Sequence, residues 1–123
     1  MTCTIQSLPI SCADPTLLAA FWCTVLGWEV KDTGWQRTDH GPDGVTIHGE
    51  ARTLEIDFRW VPDASRAAPN RLHLDVVAAD GDQEAELRRL LAAGARHVDV
   101  GQRPDSTWYV LADPEGNEFC LCR

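Results

Sequence analysis

The chain has 123 residues, of which 44% are hydrophobic, a length and composition that suit one domain with its own core. The formal net charge is −8, from 11 basic and 19 acidic residues, so we expect no nucleic-acid partner, which would require a basic surface. No apolar run reaches the roughly 18 residues that a membrane span needs, so we expect no membrane partner. The N-terminal residues do not resemble a secretory signal, which predicts a cytoplasmic location and five reduced cysteines.

The first half of the chain is predicted to form one strand, one helix and three further strands. The first strand is expected over residues 5–12. A helix follows, because Asp14 can cap it, Pro15 suits its first position and Gly27 can end it. An apolar stripe at helical spacing is expected to face the core and consists of Leu17, Leu18, Phe21, Trp22 and Val25. The remaining strands are expected at residues 28–32, within 35–48, and at 53–60.

The second half repeats this order of elements. A strand at residues 72–77 precedes a helix for which Asp80 and Gln83 resemble a capping box. Leu87, Leu90 and Leu91 form its apolar stripe, and Gly94 is expected to end it. Strands are then expected at residues 96–100, 107–112 and 117–122, with a tight turn at 113–116.

This repetition predicts an internal duplication and an α+β fold built from two tandem βαβββ modules. We expect one domain over residues 1–123. It divides into module one at residues 1–62, a linker at 62–69 (PDASRAAP), and module two at 70–123.

Three predicted strands alternate apolar and polar residues, which places the two sets on opposite faces of a sheet. In NRLHLDV (residues 70–76), Leu72, Leu74 and Val76 are expected to pack beneath a helix. The polar residues are expected to line a cavity. They are Arg71, His73 and Asp75 in this strand, Glu55 and Asp57 in residues 54–60, and Glu118 and Cys120 in the last strand.

Aromatic residues add a possible binding surface. Four of the five tryptophans come from strand regions, and some of them can line a pocket for a flat or cationic ligand, with Trp60 and Trp108 as candidates. Burial in the core or in a dimer interface is the alternative for each. His40 and His48 lie beside turn residues and are expected at the surface.

The phrases ADP…AAFW…LGWEV near the start, NRLHLDV, and DPEGNEFCL near the end resemble the vicinal oxygen chelate superfamily. This superfamily includes glyoxalase I, extradiol dioxygenases, fosfomycin resistance enzymes and bleomycin resistance proteins, and the glyoxalase-like domain proteins are the most similar. The resemblance covers essentially the whole chain. It implies that the two modules curl into a mixed sheet with a partly open cup. It also implies a homodimer, because members of the superfamily usually dimerise.

The resemblance further implies four metal-ligand positions, which fall on Ser7, Glu55, His73 and Cys120. Glu55 and His73 keep ordinary ligand chemistry. A serine hydroxyl is a weak ligand, and a thiolate suits zinc better than magnesium or manganese. The site is therefore expected to be degraded. No resident cofactor is expected, and a divalent metal held through Glu55 and His73 is the alternative.

These observations favour a small-molecule-binding protein that sequesters or converts an organic compound. The candidate binding residues are Arg71, His73, Asp75, Asp57, Glu118, Cys120, Trp60 and Trp108, and His73 and Glu55 are the candidate catalytic residues. His73 is interpreted as a metal ligand, an acid–base residue of a metal-free pocket, or a structural hydrogen-bonding residue. The alternative functions are a metal-dependent lyase or isomerase of glyoxalase I type, an extradiol-type dioxygenase, and an interaction domain with a vestigial cavity.

Overall fold

The computed structural model describes residues 2–31, 35–50, 54–62 and 72–123. The chain divides into two compact units, Met1–Ser65 and Arg66–Arg123, which we call module one and module two. The division falls within the predicted linker, most of which, like Arg71, lies outside the described residues.

The described residues of module one form one helix and six strands. Its sheet has the order β1, β6, β5, β2, in which β1 and β6 run parallel and the other neighbours run antiparallel. Strands β3 and β4 form a separate hairpin. The elements are β1 Ser7–Cys12, α1 Pro15–Leu26, β2 Glu29–Lys31, β3 Arg37–Thr38, β4 Gly41–Pro42, β5 Gly44–His48 and β6 Glu55–Trp60.

Module two repeats this arrangement. Its sheet has the order β7, β10, β9, β8, in which β7 and β10 run parallel and the other neighbours run antiparallel. In both modules the first strand therefore lies beside the last, which confirms the predicted α+β fold with two βαβββ modules. The elements are β7 Leu74–Val77, α2 Gln83–Ala93, β8 Arg96–His97, β9 Tyr109–Ala112 and β10 Glu118–Cys122.

Helix α1 has the predicted caps. The side chain of Asp14 accepts a hydrogen bond from the backbone N–H of Leu17 at 3.1 Å, and Gly27 ends the helix in the left-handed conformation at φ 67°. The predicted stripe is buried at Leu18, Phe21 and Trp22. It is wrong at Leu17, which is 47% exposed because it lies at the outer edge of the stripe in the first turn.

Helix α2 begins two residues later than the predicted capping box implies. Its cap is Asp82, whose side chain accepts from the N–H of Ala85, whereas Asp80 accepts from the N–H of Asp82. The side chain of Gln83 points elsewhere and donates to the carbonyl oxygens of Thr107 and Leu121, at 2.9 and 3.0 Å. Asp80 therefore shapes the turn before the helix, and Gln83 ties the helix to β10.

Each module has its own buried apolar residues. In module one these include Leu18, Ile47, Ile56 and Phe58, and in module two they include Leu90, Leu111, Phe119 and Leu121. The sheets therefore bury one face against their helix, as the alternating patterns of β6 and β10 predicted.

Two further sequence expectations about burial are wrong. Leu72 is 78% exposed, because β7 begins only at Leu74 and Leu72 precedes the paired part of the strand. His48 is buried rather than at the surface, because β5 lies between β2 and β6 in the sheet.

The five cysteines all lie in the described part of the chain and form no disulfide, which agrees with the expected thiols. In that same part of the chain no helix has both the length and the apolar character needed to cross a membrane.

Candidate functional site

In module one, two of the four implied ligand positions lie side by side. Ser7 of β1 is the register partner of Glu55 of β6. The carboxylate of Glu55 forms an ion pair with the ammonium of Lys31, and both side chains are half-buried. A lysine ammonium beside this carboxylate would repel a divalent cation, and the serine hydroxyl is a weak ligand. The residues of module one therefore do not fit the metal that the family resemblance implies.

The carboxylate of Asp57, two residues along the same strand, is held by a chain of hydrogen bonds. Thr46 donates to Asp57 at 2.5 Å and accepts from the indole N–H of Trp35 at 3.0 Å. The Trp35 ring lies so close to Gly44 that a Cβ there would approach it to 2.8 Å. Asp57 thus has a fixed orientation, and one of its oxygens already has a partner.

Trp60 at the end of β6 has an aromatic neighbour that the sequence did not indicate. The ring of His40, which follows β3, stacks on the Trp60 ring at a centroid distance of 3.7 Å and an interplanar angle of 16°. His40 was expected to be an uninvolved surface residue. It is exposed, but it covers one face of a predicted ligand-binding tryptophan.

Module two brings together three of the predicted site residues. The parallel pairing of β7 with β10 places Cys120 opposite Asp75, and His73 lies two residues before Asp75. His73 Nε2 is 3.2 Å from Asp75 Oδ1, and the donor atoms of all three residues lie within 4.8 Å of one another. The side chains of His73 and Asp75 are 52% and 62% exposed, so this cluster is open to ligands.

The electrostatics of the cluster favour neutral thiols. Burial, followed by the negative charge of Asp75, raises the pKa of Cys120 above its ordinary value, and the nearby Cys122 and Glu118 act in the same direction. The same two main causes raise the pKa of Cys122. A raised pKa lowers the fraction of reactive thiolate at neutral pH, so Cys120 and Cys122 are poor nucleophiles in the metal-free protein.

A tight turn between β9 and β10 supports the position of Cys120. Asp113 is fully buried, and one of its carboxylate oxygens accepts from the N–H groups of Glu115 and Asn117 at 2.9 Å. Its other oxygen accepts from the side-chain amide of Asn117, and Gly116 takes a left-handed conformation at φ 87°. The sequence predicted the turn but not the buried carboxylate that holds it. Because the turn joins paired strands, it also fixes their register.

A further depression opens at the start of α2, and His73, Asp75 and Cys120 do not line it. Four carboxylates line it, those of Asp80, Asp82, Glu84 and Asp105, together with Tyr109 and Arg123. The Tyr109 hydroxyl donates to Glu84, and this hydrogen bond raises the pKa of Tyr109. These groups are typical of a solvated helix start, and none was a predicted site residue.

Two other predicted residues, Glu118 and Trp108, lie outside the three-residue cluster of module two. Glu118 is half-buried on β10, two residues before Cys120, and Trp108 is 43% exposed before β9. The partners of the module-one residues, Lys31, Thr46 and His40, were missed. Finding them requires the strand order, which places β5 beside β6 and β2 beyond β5, and the alternation within one strand does not contain that order.

The sequence matches the family model for the glyoxalase-like domain over residues 7–122. A search of curated proteins finds no match.

Solved structures share the fold at low sequence identity. A glyoxalase/bleomycin resistance protein/dioxygenase family enzyme from Burkholderia phytofirmans PsJN is 19% identical, with a TM-score of 0.70 and 97% of each chain covered. TnmS3, an antibiotic binding protein from Streptomyces sp. CB03234, is 18% identical, with a TM-score of 0.62 and coverage of 98% of this chain and 95% of that one. The fosfomycin resistance protein FosX from Listeria monocytogenes is 13% identical, with a TM-score of 0.68 and coverage of 99% and 92%.

Proposed function

Because the chain belongs to the glyoxalase-like domain family of the vicinal oxygen chelate superfamily, we propose that it is a small-molecule-binding protein with a degraded family metal site. The observation that carries this proposal is the ion pair between Lys31 and Glu55. It neutralises a carboxylate at one of the implied ligand positions, beside a serine at another. Binding of an organic compound needs no metal, whereas the enediolate and dioxygen chemistry of the metal-dependent relatives does.

The proposed ligand is an aromatic or cationic organic compound. The acidic chain, the oriented carboxylate of Asp57 and the Trp60 ring support this chemistry, because cations bind both carboxylates and aromatic faces. Two structural neighbours are an antibiotic binding protein and a fosfomycin resistance protein, which supports a small organic compound as the ligand but not its charge. The proposed contacts are the residues predicted from the sequence, Arg71, His73, Asp75, Asp57, Glu118, Cys120, Trp60 and Trp108.

We also propose that the protein forms a homodimer, as the family resemblance implies, and that it acts in the cytoplasm. If it converts its ligand, His73 and Glu55 are the proposed catalytic residues. His73 would transfer a proton, because its imidazole has one ring nitrogen that can donate a proton and one that can accept it, and Asp75 Oδ1 lies 3.2 Å from Nε2.

Isothermal titration of the metal-free protein against a library of cationic aromatic compounds tests the binding proposal. We expect at least one binder, and Asp57→Asn and Trp60→Leu are each expected to weaken it about tenfold through loss of a charge or of a ring face. Asp105→Asn is the matched control, since this carboxylate is 73% exposed and pairs with Arg103 outside the proposed site. A library without a binder above background, or an equal effect of the control, would contradict the proposal.

The alternative function, a metal-dependent lyase, isomerase or dioxygenase, is favoured by one observation, the cluster of His73, Asp75 and Cys120. It requires that the purified protein holds a transition metal in a stoichiometric amount. Elemental analysis that finds less metal, even after reloading, would exclude this alternative.

A further inference from the structure

We propose that module two alone binds one divalent transition-metal ion of the zinc class through His73, Asp75 and Cys120. This site differs from the one that the family resemblance implies, because Asp75 is a ligand and no residue of module one takes part. It does not depend on the proposed small-molecule binding.

The distances in the cluster are close to those of a tetrahedral zinc site. Zinc–nitrogen, zinc–oxygen and zinc–sulfur bonds of about 2.0 to 2.3 Å place neighbouring ligand atoms about 3.3 to 3.6 Å apart. His73 Nε2 and Asp75 Oδ1 are already 3.2 Å apart. The largest separation in the cluster is at most 4.8 Å, so small side-chain rotations would complete the geometry.

Paired strands position two of the three proposed ligands, Asp75 and Cys120. Asp75 and Cys120 are register partners in two paired strands, and the turn built on buried Asp113 joins β10 to β9. His73 directly precedes β7, and its Nε2 lies 3.2 Å from Asp75 Oδ1. Ligands that lie on paired strands are positioned before the metal binds, and this holds for Asp75 and Cys120.

The three donor atoms select the kind of metal. An imidazole nitrogen, a carboxylate oxygen and a thiolate together suit Zn²⁺ or Co²⁺, whereas Mg²⁺ and Ca²⁺ prefer sites built only from oxygen. Three protein ligands leave a fourth tetrahedral position open. The half-exposed His73 and Asp75 leave that position accessible to water or to a donor atom of a bound compound.

The module-one residues explain why the site would be confined to module two. Lys31 holds Glu55 in an ion pair, so recruiting Glu55 as a ligand would break that pair and bring an ammonium near the metal. Asp75 supplies the carboxylate from within module two instead. The charge of the carboxylate and of the thiolate would balance the divalent ion.

The test uses the full-length protein after removal of metals by a chelator. Titration with Zn²⁺ in competition with a chromophoric chelator is expected to give one site per chain. Titration with Co²⁺ is expected to give a near-ultraviolet thiolate-to-cobalt charge-transfer band, which requires a cysteine ligand. Excess Mg²⁺ is expected to displace neither ion.

Variants separate this site from other metal-binding groups. His73→Gln, Asp75→Asn and Cys120→Ser are each expected to weaken Zn²⁺ binding at least about tenfold, and Cys120→Ser to abolish the charge-transfer band. Cys122→Ser is the matched control, because it removes a thiol of the same strand that is not in the three-residue cluster. Glu55→Gln is the control for module one, and both controls are expected to bind Zn²⁺ as the unmodified protein does.

Three outcomes would overturn the proposal. The first is a folded protein that binds no Zn²⁺. The second is an equal loss of Zn²⁺ affinity in Cys120→Ser and Cys122→Ser, and the third is a tenfold loss of Zn²⁺ affinity in Glu55→Gln. Circular dichroism verifies that each variant is folded, and Cys120→Ala replaces Cys120→Ser if the serine variant unfolds. Because the ligand titrations described above use metal-free protein, failure of one proposal does not imply failure of the other.

Discussion

The thiol of Cys120 gives a test of the electrostatics of module two at the scale of one residue. Burial and the negative charge of Asp75 raise its pKa, since a thiolate beside a carboxylate is unfavourable. Asp75→Asn removes that charge, so the pKa should fall and more thiolate should form at neutral pH. We expect Cys120 of metal-free Asp75→Asn to react with iodoacetamide several-fold faster than in the unmodified protein.

Mass spectrometry of the labelled peptides measures this rate for each cysteine separately. Cys3 is exposed and belongs to module one, so its rate is the internal reference and should not change. A Cys120 rate that stays the same or falls in Asp75→Asn would show that Asp75 does not control this thiol.

At this scale the sequence predicted the residues of the module-two cluster but not those around Glu55. The alternation in NRLHLDV and in the last strand was enough to place His73, Asp75 and Cys120 on polar faces. Lys31 lies on a strand that pairs with β5 rather than with β6 itself, so its contact with Glu55 depends on the order of three strands. That order is a tertiary property which a local pattern does not contain.

At the scale of elements, the two aspartates before α2 allow a direct test of helix capping. Asp82→Ala removes the oxygen that accepts from Ala85, and we expect it to lower the free energy of unfolding by about 1 kcal/mol. Asp80→Ala is the matched control. It removes a hydrogen bond in the preceding turn and should cost less than half as much. Urea denaturation followed by circular dichroism measures both changes, and equal costs would contradict the assignment of Asp82 as the cap.

The cap was predicted correctly for α1 and wrongly for α2 for a local reason. Asp14 is followed directly by Pro15, which fixes where α1 begins. Before α2, Gly81 has a φ of 81° and donates to the carbonyl of Ala78, so the chain makes one more turn before the helix starts. Asp80 and Asp82 are both residue types that commonly cap helices, and this turn determines that Asp82 is the cap.

At the scale of the whole molecule, we expect sedimentation velocity to find a species of twice the chain mass of 13.6 kDa. Several large apolar side chains are exposed in the single chain, and burial in a dimer would remove them from water. Dilution should shift the protein toward the single-chain mass. A protein that sediments as one chain at every concentration would contradict the dimer. The exposed side chains include Ile5, Val30, Leu72 and Val77.

The duplicated architecture was predictable because each half of the sequence repeats the same order of elements. The pairing of the first strand with the last strand in each module was not, since the partners are far apart in sequence and carry no local signal for one another. The strands are also mostly shorter than the sequence pattern suggested. Apolar alternation continues beyond the last backbone hydrogen bonds, as the exposed Leu72 shows.

The position of the last strand inside each sheet has a consequence for synthesis on the ribosome. β1 pairs with β6, and β7 pairs with β10. The first strand of each module therefore has no pairing partner until the rest of the module has been translated. β6 and β10 each complete two strand pairs at once when they emerge. Nascent chains that stop before residue 55 or residue 118 would therefore leave a module with exposed strand edges, the form in which aggregation and chaperone binding are most favourable.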